Sequence, residues 1–171
     1  QAQFMATNIL QKDLKANQLA VQSVSLNCLA HCVDANTSPE LFQKTFQLVH
    51  HSKSQIRKKA LVTLGLFMVH HYDLIPHHLE TIVSLMAKEK SVNVIICFVN
   101  FMDLLIQEQP ALYPLVLPVA FEMLSKHKSN WLTIKLIHLF RRLVLLDKRL
   151  VKKLAEPFLK TLKQTASKSV E

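Results

Sequence analysis

Hydrophobic residues recur along this chain at intervals of three and four, in blocks that short polar stretches separate. That spacing places the apolar side chains on one face of a helix, so each block predicts an amphipathic α-helix. The block that begins at Ser54 has an apolar stripe formed by Ile56, Ala60, Leu64, Phe67 and Met68. We expect this stripe to be buried.

The starts of these helices repeat along the chain. One set begins at Asn17, Ser54, Ser91 and Asn130, at intervals of 37, 37 and 39 residues. Ser and Asn suit the N-cap position, where a short side chain accepts a hydrogen bond from a free backbone N–H. A second, shorter set has Pro39 and Pro76 in its first turns, again 37 residues apart, with Ser38 as the cap before Pro39. Later members of this set contain Pro118 and Pro157.

Two amphipathic helices in every 37 to 39 residues are typical of an α-solenoid, in which each helix pair buries its apolar face on the next pair. The tetratricopeptide pattern of small residues and tyrosine is missing. The predicted fold class is therefore all-α, a HEAT/armadillo-like α-solenoid of antiparallel helix pairs with a 37–39-residue period. We expect residues 1–171 to form a single solenoid segment and, since neither end shows a polar capping repeat, to be a fragment of a longer trunk.

Composition agrees with this fold and excludes several function classes. Half of the 171 residues are hydrophobic, and Gly65 is the only glycine. Glycine-rich phosphate loops need several glycines, and neither a nucleophile elbow nor a paired-carboxylate signature is present. We therefore expect a binding protein without a catalytic site, a cofactor or a metal. The sequence shows neither a secretory signal pattern nor an uninterrupted apolar run of membrane-spanning length.

The cysteines and the single tryptophan are interpreted as packing residues. Cys28, Cys32 and Cys97 lie in apolar stretches, which favours buried, reduced thiols in the cytosol over disulfides. Trp131 follows a helix start, and we expect it to pack between repeats.

Three histidine pairs raise the question of a metal site. The pairs are His50–His51, His70–His71 and His77–His78. No carboxylate or thiol at ligand spacing completes a site, so we expect exposed histidines at helix ends.

The charge of the chain favours an acidic partner, because 21 Lys and Arg outnumber 12 Asp and Glu and give a formal charge of +9. In a solenoid, the turns from one repeat to the next align on one edge, and lysines recur in these turns at the repeat period. We call this set the basic edge: Lys12, Lys15, Lys53, Arg57, Lys58, Lys59, Lys88, Lys90, Lys126, Lys128, Lys163 and Lys168. The eight residues from Lys53 to Lys128 are the candidate contacts for a partner or a phospholipid. Asp13 and Glu89 are the acids nearby.

Arg57, Lys58 and Lys59 are the densest part of the basic edge, and they lie near a helix start. Backbone N–H groups there carry partial positive charge, so each exposed cation costs roughly 0.3–1 kcal/mol. Their position predicts a compensating contact with an acid of the neighbouring repeat, with an acid of a partner chain, or with a phosphorylated lipid head group.

Four segments resemble the N-terminal trunk of the large adaptins. They are TNILQKDLKANQ at 7–18, QIRKKALVTL at 55–64, SNWLTIKLIHLF at 129–140 and DKRLVKKLAEPFLKTLKQTASKS at 147–169. The last two are most similar to the delta type, from the third adaptor complex. The turn AKEKSVN at 87–93 departs from the family, since it is short and basic where an acidic, proline-containing turn is usual.

The resemblance implies a non-enzymatic scaffold subunit of a vesicle coat adaptor complex, acting in cargo sorting and vesicle-mediated transport from endosomes or the Golgi to lysosome-like organelles. The partners that it implies are a sigma-type small chain, a second large chain and a medium chain, with an Arf-type GTPase and anionic membrane lipids as further contacts. It also implies a cytoplasmic protein, peripheral on endosomal and Golgi membranes.

Two alternatives stay open at this point. Another HEAT or armadillo scaffold, such as a nuclear transport receptor, fits the fold, but the single tryptophan and the positive charge argue against it. A nucleic-acid-binding helical repeat is permitted by the basic edge, and a steep fall of affinity with salt would favour it.

Overall fold

The computed structural model describes residues 2–34, 36–74 and 76–168. Its α-helices are α1 Ala2–Leu14, α2 Leu19–Cys32, α3 Pro39–Leu48, α4 Ser54–His70, α5 Leu79–Lys88, α6 Val92–Glu108, α7 Tyr113–Lys126, α8 Asn130–Leu146 and α9 Leu150–Lys168. Short 3-10 helices occupy Tyr72–Leu74, Pro76–His78 and Pro110–Leu112. Within these described ranges there is no strand, which confirms the all-α class. None of the described helices combines the length and the apolar composition that crossing a membrane requires.

The helices are arranged in two layers. In one layer α2, α4, α6 and α8 pack side by side in chain order. In the other layer α1 packs on α3, and α5 packs on α7. Pairs such as α1 with α2, α3 with α4 and α7 with α8 join the two layers. Every second helix therefore repeats the same position, which is the predicted solenoid.

The apolar stripes form one continuous core between the layers. All five residues of the predicted stripe on α4 are buried, with at most 2% of any of them exposed. Aromatic rings fill the largest spaces, and Phe42 on α3 meets Phe67 on α4 edge to face, with 5.6 Å between ring centroids. The prediction that this face of α4 is buried is confirmed.

The first-layer helices begin at intervals of 35, 38 and 38 residues, close to the predicted period, but most of the predicted caps are wrong. Ser38 does accept a hydrogen bond from the Glu40 N–H at 3.3 Å, with Pro39 in the first turn. In contrast, Gln18 and Lys53 take the N-cap positions of α2 and α4, and Ser129 takes that of α8 without a side-chain hydrogen bond. Apolar packing sets where these helices begin, because one cap contributes only about 1 kcal/mol.

The starts of α5 and α6 also differ from the prediction. Ser91 does take the N-cap position of α6, but its side chain makes no capping hydrogen bond. Pro76 begins a 3-10 turn, and α5 itself begins only at Leu79.

Polar side chains join successive helices of the first layer at the repeat distance. The Thr63 hydroxyl donates to the Leu26 carbonyl at 3.3 Å, and His71 Nε2 donates to the Asp34 carbonyl at 2.9 Å. Both pairs are 37 residues apart in the chain, so the hydrogen bonds hold equivalent turns of α2 and α4 together.

Three of the residues interpreted as buried are exposed. Cys28 and Cys32 lie on the outward side of α2, whereas Cys97 is buried on α6, and all three thiols are free. Trp131 on α8 is 72% exposed and does not pack between the described repeats. These stretches are apolar around much of the helix, so their sequence did not reveal which side faces the core.

We expect Gly65→Ala to stabilise the chain. Glycine inside a helix costs about 0.5–1 kcal/mol relative to alanine, and Gly65 lies within α4. An added Cβ would meet the Leu104 Cδ1 at 3.5 Å, an ordinary van der Waals distance. Urea unfolding should show a gain of about 0.5–1 kcal/mol. Gly65→Leu is the control and should be destabilising, since its longer side chain must displace Leu104; a loss with alanine would mean that α4 and α6 are closer than described.

The cysteines should react in two phases. Burial raises the pKa of the Cys97 thiol, with the nearby Lys58 acting in the opposite direction, and only the thiolate reacts. We expect a thiol reagent at neutral pH to modify Cys28 and Cys32 quickly and Cys97 only as the chain unfolds. Cys97→Ser should abolish the slow phase. A single fast phase of three thiols would contradict the burial of Cys97.

Candidate interaction surface

The basic edge is formed by the turns that precede the helices of the first layer. Because these helices pack side by side, the turns before α2, α4, α6 and α8 follow one another along one side of the solenoid. Five exposed lysines lie in these turns or at the adjoining helix ends: Lys53, Lys88, Lys90, Lys126 and Lys128. Lys12, at the end of α1, and Lys15, in the turn before α2, are also exposed. Lys163 is exposed within α9, and the side chain of Lys168 lies outside the described part.

The guanidinium of Arg57 is bound within the fold. Its Nε and Nη2 donate to the two carboxylate oxygens of Glu89 at 2.7 and 2.8 Å. Its Nη1 donates to the carbonyls of His51 and Ser52, both at 2.9 Å. The side chains of Arg57 and Glu89 are only 19% and 7% exposed. This bidentate pair joins the first turn of α4 to the turn before α6, one repeat further along.

The carboxylate of Glu89 accepts hydrogen bonds from Arg57 and from the backbone at the start of α6. Besides Arg57, it accepts hydrogen bonds from the backbone N–H groups of Lys90 at 2.9 Å and Ser91 at 2.8 Å. Burial alone would raise the pKa of Glu89, but the hydrogen bonds from Arg57 and from these N–H groups outweigh it and hold the pKa below its usual value. The carboxylate therefore stays ionised beside the positive N-terminus of α6.

The three adjacent cations of α4 have three different environments. Arg57 binds the following repeat, whereas the Lys59 Nζ donates backwards to the Ser23 carbonyl on α2 at 3.2 Å. Lys58 is exposed to solvent. The sequence predicted a contact with an acid of the neighbouring repeat, an acid of a partner chain or a lipid head group. The structure shows the first of these for Arg57, since it binds Glu89. Arg57 and Lys59 therefore have contacts within the fold, and the partner role of all eight candidate residues stays a prediction.

A cleft of about 380 Å³ opens beside the Arg57–Glu89 pair. It is lined by Val49, His50, His51, Ser52, Arg57, Leu85, Lys88, Glu89, Lys90 and Phe98. The structure thus brings Lys88 and Lys90 together with Arg57 around one concave site. Lys126 differs, since it pairs with Glu122 on its own helix. Lys53, Lys58, Lys59 and Lys128 do not line this cleft.

A second basic cleft, of about 240 Å³, lies between α6 and α8. Its lining residues are Val99, Asn100, Asp103, Lys135, His138, Arg141 and Arg142. These residues lie on helices, so the pattern of lysines in the turns did not predict them. The available signal was their helical spacing, which places Lys135, His138 and Arg142 on one face of α8.

The histidine pairs do not share one environment. His70 and His77 are exposed, but His71 binds the Asp34 carbonyl and the ring of His78 packs on Phe46 with 4.3 Å between centroids. The expectation of exposed histidines is therefore wrong for His51, His71 and His78, which are half-buried. Across the described residues, His, Cys, Asp and Glu side chains do not gather in groups of three that could hold a metal ion.

Comparison with known proteins gives matches along almost the whole chain. A family model described as the adaptin N terminal region matches residues 1–171. The chain is 30% identical over 169 residues to the AP-3 complex subunit delta of Arabidopsis thaliana, covering 98% of this chain and 19% of that protein. It is 29% identical over 168 residues to the AP-3 complex subunit delta-1 of Bos taurus, covering 98% of this chain and 14% of that protein.

A solved-structure comparison gives the same fold. The structure is similar to a chain of a homology model of the full-length AP-3 complex in an intermediate open conformation, with a TM-score of 0.84 and 24% identity. That match covers 98% of this chain and 30% of the other. Of the two delta relatives, this chain spans less than a fifth of the length.

We expect Glu89→Gln to lower the free energy of unfolding at pH 7 by about 2–3 kcal/mol, because it leaves the largely buried Arg57 without its anionic partner. Glu122→Gln is the matched control. It removes a more exposed carboxylate from the Lys126 pair and should cost less than about 0.5 kcal/mol. Equal losses from the two variants, measured by urea unfolding, would contradict a structural role for the Arg57–Glu89 pair.

The loss of stability caused by Glu89→Gln should depend on pH. Folding lowers the pKa of Glu89 from its ordinary value of 4.5, so its stabilising effect is fully present above that value. The effect is lost as the pH falls through the lower pKa of the folded state. The stability difference between the wild-type chain and Glu89→Gln should therefore narrow below about pH 4. A difference that stays constant down to pH 2 would contradict this linkage.

Proposed function

Because this chain belongs to the adaptin family, whose N-terminal region matches all of residues 1–171, we propose that it is a trunk segment of a large subunit of a vesicle coat adaptor complex. The family match along the full chain is the observation that carries the proposal, and it favours this role over a nuclear transport receptor or a nucleic-acid-binding repeat. The role is one of binding and support, in cargo sorting and vesicle-mediated transport, and it requires no catalytic group.

The delta relatives favour the third adaptor complex among the adaptor types. The proposed partners are accordingly a sigma-type small chain, a second large chain and a medium chain. Since the chain spans 19% or less of these relatives, such contacts belong to the whole subunit, and residues 1–171 supply one solenoid segment of its trunk. The proposed location is the cytoplasmic surface of endosomal and Golgi membranes.

The basic edge is the proposed surface for recruitment to the membrane. Its exposed cations in and next to the turns before α4, α6 and α8 suit anionic phospholipids, and an Arf-type GTPase is the second proposed contact. The exposed candidates are Lys53, Lys58, Lys88, Lys90, Lys126 and Lys128. Arg57 and Lys59 bind Glu89 and Ser23 within the fold, and their proposed role is to position these turns.

Co-purification tests the subunit role directly. The chain is expressed together with the small, medium and second large chains of the third adaptor complex. We expect it to elute with at least one of them in gel filtration. A folded chain that elutes alone in every combination would contradict the proposal.

A vesicle assay tests the basic edge separately. Each cation near an anionic surface contributes about 1 kcal/mol, so Lys53→Gln/Lys88→Gln/Lys90→Gln should weaken binding to phosphoinositide vesicles on the order of 100-fold. The matched control, Lys148→Gln/Lys152→Gln/Lys153→Gln, removes the same charge from exposed positions around the start of α9. It should bind like the wild-type chain. Equal losses would show that net charge alone drives binding, and no binding by the wild-type chain would exclude the lipid contact.

A further inference from the structure

Three basic side chains line the cleft between α6 and α8 without a partner among the described residues. Lys135, His138 and Arg141 line it. In the described part of the chain, the side chains of these three residues make neither a hydrogen bond nor an ion pair. Their donors are therefore available to a ligand.

The one carboxylate in the lining is already occupied. Arg142 Nε donates to Asp103 Oδ1 at 2.6 Å, across from α8 to α6 and 39 residues apart in the chain. With this pair neutral, Lys135 and Arg141 give the cleft a formal charge of +2, by the same formal count that gives the whole chain +9. The Asn100 side-chain amide adds a further donor to the lining. An entering anion would meet several N–H donors, and the one carboxylate in the lining is paired with Arg142.

Exposed apolar side chains lie at both ends of this cationic group. Trp131 and Leu145 are 72% and 77% exposed, and both lie on the face of α8 that presents His138. The rise of an α-helix places them about 21 Å apart, with the cations between them. Ile134, one turn from His138, is 45% exposed beside them. The surface therefore combines a basic centre with apolar ends.

We propose that this cleft is a docking site for an acidic segment of a partner protein, with carboxylates bound by Lys135 and Arg141 and a large apolar side chain packed on Trp131. Arginine and tryptophan are the residues that most often dominate protein-binding sites. Carboxylates match the charge and the donor geometry of the cleft. A flat membrane surface fits less well, because these cations line a depression between two helices. The cleft lies along α8, about two turns from Lys128, so its occupancy does not depend on the role proposed for the basic edge.

The test uses a defined peptide and fluorescence anisotropy. The probe is a fluorescein-labelled twelve-residue peptide with four consecutive glutamates and a leucine on either side of them. We expect saturable, salt-dependent binding to the chain. Replacing the glutamates of the peptide by glutamine, or its leucines by alanine, should each weaken binding by about tenfold.

Variants of the chain locate the site. Lys135→Gln/Arg141→Gln should weaken peptide binding by about tenfold, and Trp131→Ala by about fivefold or more. Lys152→Gln/Lys153→Gln is the matched control, since it makes the same change in net charge on exposed residues of α9, and it should bind like the wild-type chain. Circular dichroism checks that each variant keeps its helicity.

Three results would overturn the proposal. Equal losses from the two double variants would show diffuse attraction to net charge. An unchanged peptide affinity in Lys135→Gln/Arg141→Gln, with weaker binding to anionic vesicles, would assign the surface to a membrane instead. Absence of saturable binding to the wild-type chain would exclude an acidic segment as the occupant.

Discussion

The packing of α2, α4, α6 and α8 side by side is the constraint on which the other features of this structure depend. Each of these helices buries its apolar face in the core between the two layers, and α4 and α6 also pack against the first-layer helices before and after them. Because the packing fixes the register between neighbours, it also aligns the turns that precede each helix. The basic edge exists because four such turns are held in a row, and the cleft of α6 and α8 exists because the same packing leaves a depression between two helices. Charge and shape on the surface are therefore consequences of the apolar core.

The polar contacts between repeats refine this register without creating it. A buried ion pair loses solvation that its attraction only partly offsets, so such a pair stabilises a fold only when its remaining donors and acceptors are satisfied. The pair of Arg57 and Glu89 meets that condition, since the guanidinium also binds two carbonyls and the carboxylate also binds two N–H groups. The unfavourable position of Arg57 near the N-terminus of α4 is thereby offset by an acid that the sequence places 32 residues away.

Much of the fold could be predicted from the sequence, because a spacing of three and four residues determines helical faces and a fixed interval determines a solenoid. The N-cap residues could not be predicted, since one cap contributes little free energy compared with the packing of the apolar faces. The exposure of Cys28 and Trp131 could not be predicted either, because their helices are apolar on more than one side. The candidate surface was only partly predicted. Its lysines follow from the repeat, whereas the bonds of Arg57 and Lys59 join side chains from different repeats and become visible only in three dimensions. The pairing of Asp103 with Arg142 left a detectable signal, an acid and a base separated by one period of 39 residues.

The repeat also shows that the contact between Arg57 and Glu89 is specific to one junction. Relative to the caps of α4, α6 and α8, the position of Glu89 is occupied by His51 in the preceding turn and by His127 in the following turn. The position of Arg57 is occupied by Ile95 on α6 and Thr133 on α8. The bidentate pair therefore reinforces a single junction, between α4 and α6, beside the cleft that Lys88 and Lys90 line. A surface whose backbone is already fixed loses less conformational entropy when a ligand binds. The lysines of that junction are consequently better prepared to hold an anionic partner than equally charged lysines elsewhere on the basic edge, and this difference arises from an arginine and a glutamate that need not touch the partner.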